Sequence, residues 1–167
     1  RLLSRGLGDV YKRQIEILKN EKIDVISSIH FNPELTGKKG LHTKIKPSRA
    51  DIKSINQGIK YFAKTNSYDH IQALVVRDNK IIAKEDNRGT KKMITKLKNN
   101  SGGILIKFPK KKQDLRMDLP TIGIQTIKDC KKYGLKGIVL KSKKNIFLDK
   151  SKSIEFADKN KIFILIK

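Results

Sequence analysis

A chain of 167 residues, 37% of them hydrophobic, can close the core of one domain, or of one domain and part of another. No apolar run approaches the roughly 20 residues that a membrane-spanning helix needs. Lysine and arginine (39) against aspartate and glutamate (16) leave a net charge of +23, which calls for an anionic partner. The basic residues are spread along the chain and are mostly lysine, and aromatics are 6% with no tryptophan, so a specific nucleic-acid surface is not expected. A basic domain that binds nucleic acid or acidic lipid without catalysis is the alternative that rests on charge alone.

Residues 1–14 are rich in arginine and glycine, whereas the remainder is rich in lysine and isoleucine. The run 7–14 reads as a translated sequencing-adapter remnant, so the native chain is expected to begin near Ile15. Residues 15–22 suggest a short helix and residues 23–29 a strand, followed by a loop over 32–40. His30 and His42 have no second ligand at helical or turn spacing and read as ordinary loop or strand-end residues. Pro47-Ser48 opens a helix, with Ser48 as cap, Asp51 in its first turn and Ile52, Ile55, Ile59 and Phe62 at helical spacing, ending near Asn66-Ser67. Residues 71–77 and 80–84 are strands joined by the turn Asp78-Asn79. A polar loop leads to a helix over 91–98, and a break over 99–102 precedes a strand over 103–107.

Next comes the stretch on which the rest is organised, Gln113-Asp114-Leu115-Arg116-Met117-Asp118-Leu119-Pro120-Thr121-Ile122-Gly123. In an extended segment Asp114, Arg116 and Asp118 share one face, and Leu115, Met117 and Leu119 anchor the other in a core. Such a face suits a hydrated divalent cation and a phosphate oxygen, but it equally describes a solvated charge ladder on a sheet edge. A helix over 121–133, strands over 137–140 and 145–148, a helix over 151–159 and a final strand over 162–166 complete the chain. Cys130, the single cysteine, shares an apolar stripe with Ile127 and reads as a buried thiol, which fits a reducing cytoplasm. Alternating strands and helices predict an α/β layered domain with a mixed sheet over residues 46–167.

These segments resemble the carboxy-terminal catalytic domain of the LpxI family, the UDP-2,3-diacylglucosamine pyrophosphatases of lipid A synthesis. The resemblance is carried by Gln72-Ala73-Leu74-Val75-Val76, Glu85 with Gly89-Thr90, Gly102-Gly103-Ile104-Leu105-Ile106-Lys107, the block from Gln113 to Gly123, Gly134-Leu135-Lys136-Gly137-Ile138 and Leu148-Asp149. It implies that residues 15–45 are the tail of a truncated Rossmann-like domain and its linker, and that the chain acts poorly by itself. The family's acidic residues around Gly-Thr are replaced by Arg88 and Lys91, which leaves Glu85 as the acidic candidate of that loop.

The resemblance further implies Mg²⁺-dependent hydrolysis of UDP-2,3-diacylglucosamine to UMP and 2,3-diacylglucosamine 1-phosphate in the cytoplasm, with peripheral contact to inner-membrane lipid and a homo-oligomer as possible partners. Asp114 and Asp118 either hold Mg²⁺, directly or through its waters, or orient the attacking water, while Arg116 clamps a phosphate oxygen. Lys107 and Lys112 are weighed as phosphate contacts against solvated lysines. Gln113, Thr121, Glu85, Gly89 and Thr90 complete the expected substrate contacts, Thr121 at a helix start that favours anions.

Overall fold

The computed structural model describes residues 7–64, 71–97, 102–110 and 113–167, with the side chains of 7–9 left aside. The expected helix end at Asn66-Ser67, most of the break over 99–102, and Lys111 and Lys112 lie outside the described residues. The described chain is an α/β structure with a mixed sheet. The elements in chain order are α1 (Leu7–Asn20), α2 (Ser28–Phe31), a 3-10 turn (Pro33–Leu35), β1 (Gly40–Leu41), α3 (Arg49–Lys64), β2 (Ala73–Arg77), β3 (Lys80–Lys84), α4 (Gly89–Thr95), β4 (Ile104–Lys107), β5 (Thr121–Ile122), α5 (Ile124–Lys132), β6 (Gly137–Leu140), β7 (Ile146–Phe147), α6 (Lys150–Lys159) and β8 (Phe163–Ile166).

The main sheet has six strands in the order β1-β8-β6-β4-β2-β3. Strands β4, β6 and β8 run parallel, and β1, β2 and β3 pair antiparallel to their neighbours. The central strands are apolar at almost every position because both faces are covered. Val75, Leu105, Ile138 and Ile164 point to the side of α4, α5 and α6. Leu74, Val76, Ile104, Ile106, Val139 and Phe163 point to the side of α3 and its Ile55. This period-2 alternation splits the apolar residues between two cores, one on each side of the sheet. Cys130 is fully buried in the first core, as its stripe implies, and burial pushes its thiol far above the usual range.

Helix α3 starts as its sequence dictates. The Ser48 hydroxyl accepts from the Asp51 amide at 3.1 Å, while an Asp51 carboxylate oxygen accepts from the Ser48 amide at 2.9 Å and its hydroxyl at 2.8 Å, a reciprocal cap. The hairpin forms at Asp78-Asn79, with φ of 50° and 60°, the left-handed pair that a two-residue turn between twisted strands demands.

Three expectations need correction. Residues 23–27 are irregular and Ser28–Phe31 turns as a helix: the His30 and Asn32 amides bond back to Ser27 and Ser28, and no strand of the sheet is there to pair with the segment. Thr121 does not open a helix. Thr121–Ile122 is a strand paired in parallel with Ile146–Phe147 in a second, two-stranded sheet, and α5 begins at Ile124 behind Gly123. Finally, the short helix expected over 15–22 is the second half of a longer one, α1, which runs from Leu7 to Asn20.

Candidate functional site

The carboxyl ends of β4 and β6 mark one edge of the sheet, the edge at which α/β sheets bind ligands. Residues 108–120 leave β4 there and residues 141–145 leave β6 there, and the β5–β7 pair holds the two loops together. Because β2 runs antiparallel to β4, with Ala73 opposite Lys107, the start of β2 and the end of β3 reach the same edge.

Lys107 closes β4 and is 9% exposed. Its Nζ donates to Thr90 Oγ1 at 2.9 Å, and Thr90 Oγ1 donates to Glu85 Oε1 at 2.7 Å. The other oxygen, Glu85 Oε2, accepts the Gln72 amide at 2.9 Å. A lysine, a threonine and a glutamate from three separate elements thus form one buried chain. Burial pushes the Lys107 ammonium below the usual lysine value, and the charges of Glu85 and Asp118 oppose that shift. The expectation that Lys107 is more often solvated is therefore corrected: the strand points its side chain inward, toward Asp118 in the block and Glu85 in the loop. Gly89, with φ of +83°, begins α4 in a conformation open to glycine and places Thr90 in this chain.

The block itself is not extended. The Met117 and Asp118 amides bond to the Asp114 carbonyl at 3.2 and 3.0 Å, which makes residues 114–118 a hydrogen-bonded turn. Asp114 and Arg116 do not stand side by side facing solvent; the guanidinium folds back, Nε to Oδ1 at 3.0 Å and Nη2 to Oδ2 at 2.6 Å, while the Arg116 amide donates to Oδ1 at 3.0 Å. The short Asp side chain captures the backbone two residues on, which competes with an extended strand. Hydrogen bonds from the Arg116 side chain hold the Asp114 carboxyl below the usual range. Leu115, Met117 and Leu119 are half-buried and belong to neither core cluster.

Gln113 staples the loop, accepting from the Lys110 amide at 2.8 Å and donating to the Asp118 carbonyl at 3.1 Å. Thr121 is exposed and donates to the Leu119 carbonyl at 3.0 Å. Arg88 is exposed and pairs with Asp86, whose carboxyl it holds well below the usual range.

Two residues that the sequence did not single out also build this edge. Asn145, 2% exposed, donates to the Lys107 carbonyl at 3.1 Å and accepts the Lys141 amide at 2.9 Å, tying the loop after β6 to the end of β4. A polar side chain at the head of an apolar run was the available signal. Ser27 donates to the Leu115 carbonyl at 3.0 Å across 88 residues, and no sequence pattern announces that contact.

Among the described residues no group of three or more His, Cys, Asp or Glu is placed to hold a metal. The Asp118 carboxylate takes no hydrogen bond from a described residue, and Asp114 retains lone pairs beyond those that Arg116 uses. Two aspartates one turn apart suit a hard cation that keeps several waters and shares phosphate oxygens, not an all-protein cage.

The LpxI C-terminal domain family model matches residues 38–165. The chain is also 26% identical over 171 aligned positions to the UDP-2,3-diacylglucosamine pyrophosphatase LpxI of Caulobacter vibrioides, an alignment that covers 96% of this chain and 61% of that relative. The matched span contains the sheet up to Leu165, the buried Glu85–Thr90–Lys107 chain and the turn from Asp114 to Asp118, and on this ground the chain belongs to the LpxI family.

Proposed function

We propose that this chain supplies the catalytic edge for Mg²⁺-dependent hydrolysis of the pyrophosphate bond of UDP-2,3-diacylglucosamine, releasing UMP and 2,3-diacylglucosamine 1-phosphate in lipid A synthesis. The observation that supports it best is that Lys107, Glu85, Thr90 and the turn Asp114–Asp118 meet at one sheet edge, within the span matched by the family. A pyrophosphate brings closely spaced negative oxygens that must be neutralised before water can attack. Asp114 and Asp118 would hold Mg²⁺ through its waters, and the ion would supply charge neutralisation at the phosphates.

The chain's own groups do the rest. Asp118, with its carboxylate free of described hydrogen-bond donors, orients the attacking water and takes up its proton. Lys107 presents a partly desolvated ammonium, held at a defined height by Thr90 and Glu85, to a phosphate oxygen. Arg116 spends Nε and Nη2 on Asp114 and keeps Nη1 for a phosphate oxygen, already oriented by that pairing. The two acyl chains need cover from water at about 0.8 kcal/mol per CH₂. Ile23, Ile26, Phe31 and Leu41, between 43% and 70% exposed, offer apolar surface for them. The high basic charge favours the anionic face of the inner membrane, where each lysine near the surface contributes about 1 kcal/mol.

The test is UMP release, with Mg²⁺ and with EDTA, by this chain and by the chain joined to the amino-terminal part of the Caulobacter relative. The joined protein should turn over in a Mg²⁺-dependent way. Asp114→Ala and Asp118→Ala in it should each cost on the order of 10²–10³ in kcat with little change in KM, because they act on charge that develops in the transition state. Near-normal turnover by both aspartate variants would make the turn structural and defeat the assignment.

A further inference from the structure

The opposite edge of the sheet, where β4 and β6 begin, holds a cleft of about 360 Å³ that the reaction above does not use. Its walls are the first turns of α3 (Arg49, Lys53), the hairpin turn (Arg77, Asp78, Asn79) and Lys136 ahead of β6, with Ile104 at its floor. Strand β4 is four residues long, so the cleft and Lys107 sit about 10 Å apart along one strand and open on different sides of the molecule.

Its charges do not cancel. The Asp51 carboxylate is already taken by Lys136 Nζ at 2.6 Å and by the Ser48 cap. Asp78 lies 3.6 Å from Arg77. Ser54 Oγ accepts the Asn79 amide at 3.0 Å, which pins the hairpin turn to α3 and makes the wall rigid before any ligand arrives. That leaves Arg49 and Lys53, one turn apart on the face of α3 that lines the cleft, with no ion-pair partner among the described residues. They stand beside the positive end of the α3 dipole, where a cation is disfavoured. Two cations held against that dipole, in a preformed concave site, is an arrangement that a bound anion relieves.

We infer that this cleft is a second binding site, separate from the catalytic edge, for a phosphomonoester carried on a hydroxyl-bearing group. Arg49 meets the phosphate with its planar fork and Lys53 adds a point charge. Asn79 and Ser54 offer polar contacts to hydroxyls, and Ile104 gives the carrier an apolar floor. The phosphate can arrive on a soluble sugar or on a lipid headgroup, and the chemistry of recognition is the same.

The full chain, ¹⁵N-labelled, is titrated with glucose 1-phosphate at constant ionic strength held by NaCl, and amide shifts are followed. In parallel, co-sedimentation is measured with phosphatidylcholine vesicles with and without phosphatidic acid. The expected result is saturable shifts at residues 48–54, 78–79 and 136, half-complete in the millimolar range. The double variant Arg49→Ala/Lys53→Ala should raise that midpoint at least tenfold. Lys128→Ala/Lys131→Ala, which removes the same charge from exposed positions on α5, should leave it unchanged. If glucose 1-phosphate is silent but phosphatidic acid binding falls tenfold in the α3 double variant and not in the α5 one, the ligand is a lipid headgroup and the site stands. Shifts that grow without saturation across many lysines, shifts confined to the catalytic edge, or equal losses in both double variants overturn it. All four side chains replaced are exposed, so the variants should fold.

Discussion

Glu85→Ala tests whether the buried Glu85–Thr90–Lys107 chain is a structural unit. The side chain is 8% exposed and accepts two hydrogen bonds, from the Gln72 amide at 2.9 Å and from Thr90 Oγ1 at 2.7 Å. A bond to a charged acceptor contributes about 1.5–3 kcal/mol net. The two share one carboxylate and are not additive, and Lys107 also loses an opposing charge, so a loss of about 3 kcal/mol is expected. For a chain of this size each kcal/mol moves the melting temperature by about 2–4 °C, which gives a drop of roughly 6–12 °C. Glu85→Gln keeps one acceptor oxygen and should lose about half as much. Circular dichroism melts of the three proteins at pH 7 decide it. A melting temperature for Glu85→Ala within about 2 °C of the parent would show that Glu85 does not hold Lys107 and Thr90 in place.

Lys107→Met should alter the dependence of stability on pH. The folded pKa of Lys107 lies below its unfolded value, so the unfolded chain binds more protons between the two and stability rises with pH through that window, from the lowered value toward 10.5. The parent should therefore gain denaturant resistance relative to Lys107→Met as pH rises toward 10.5, and parallel curves would refute the shift. Gly137→Ala places a methyl against the Phe163 ring across the β6–β8 pair, and overpacking of this kind should cost about 1–3 kcal/mol in urea unfolding. Deleting residues 1–14 should move the melting temperature by less than about 2 °C, since none of the described residues in it joins either core cluster; a larger drop would show that α1 is packed and needed.

Much of the fold was legible because it rests on local chemistry. The Ser48–Asp51 cap, the Asp78-Asn79 turn and the period of Ile52, Ile55 and Ile59 are decided within a few residues, and the structure forms α3 and the hairpin from them. The apolar runs of β4, β6 and β8 announced buried strands by composition, and Ile127 with Cys130 announced the inner face of α5. The residues of the candidate site were also nameable, because the block from Gln113 to Gly123 is distinctive as a sequence.

Their arrangement was not. Spacing put Asp114, Arg116 and Asp118 on one extended face, yet a carboxylate two residues from an amide and a guanidinium closes a turn at lower cost than an unpaired strand, whose backbone groups would need partners. Thr121 and Ile122 became a strand because Ile146 and Phe147, 25 residues later, were there to pair with them. Lys107 looked like one more surface lysine in a chain of net charge +23. Only the packing of α4 against the sheet, which brings Thr90, itself bonded to Glu85, within hydrogen-bond reach, turns it into a buried cation. Periodicity records which side of an element is apolar; which charged groups meet across elements depends on how the layers stack, and that is decided by long-range contacts no local pattern encodes.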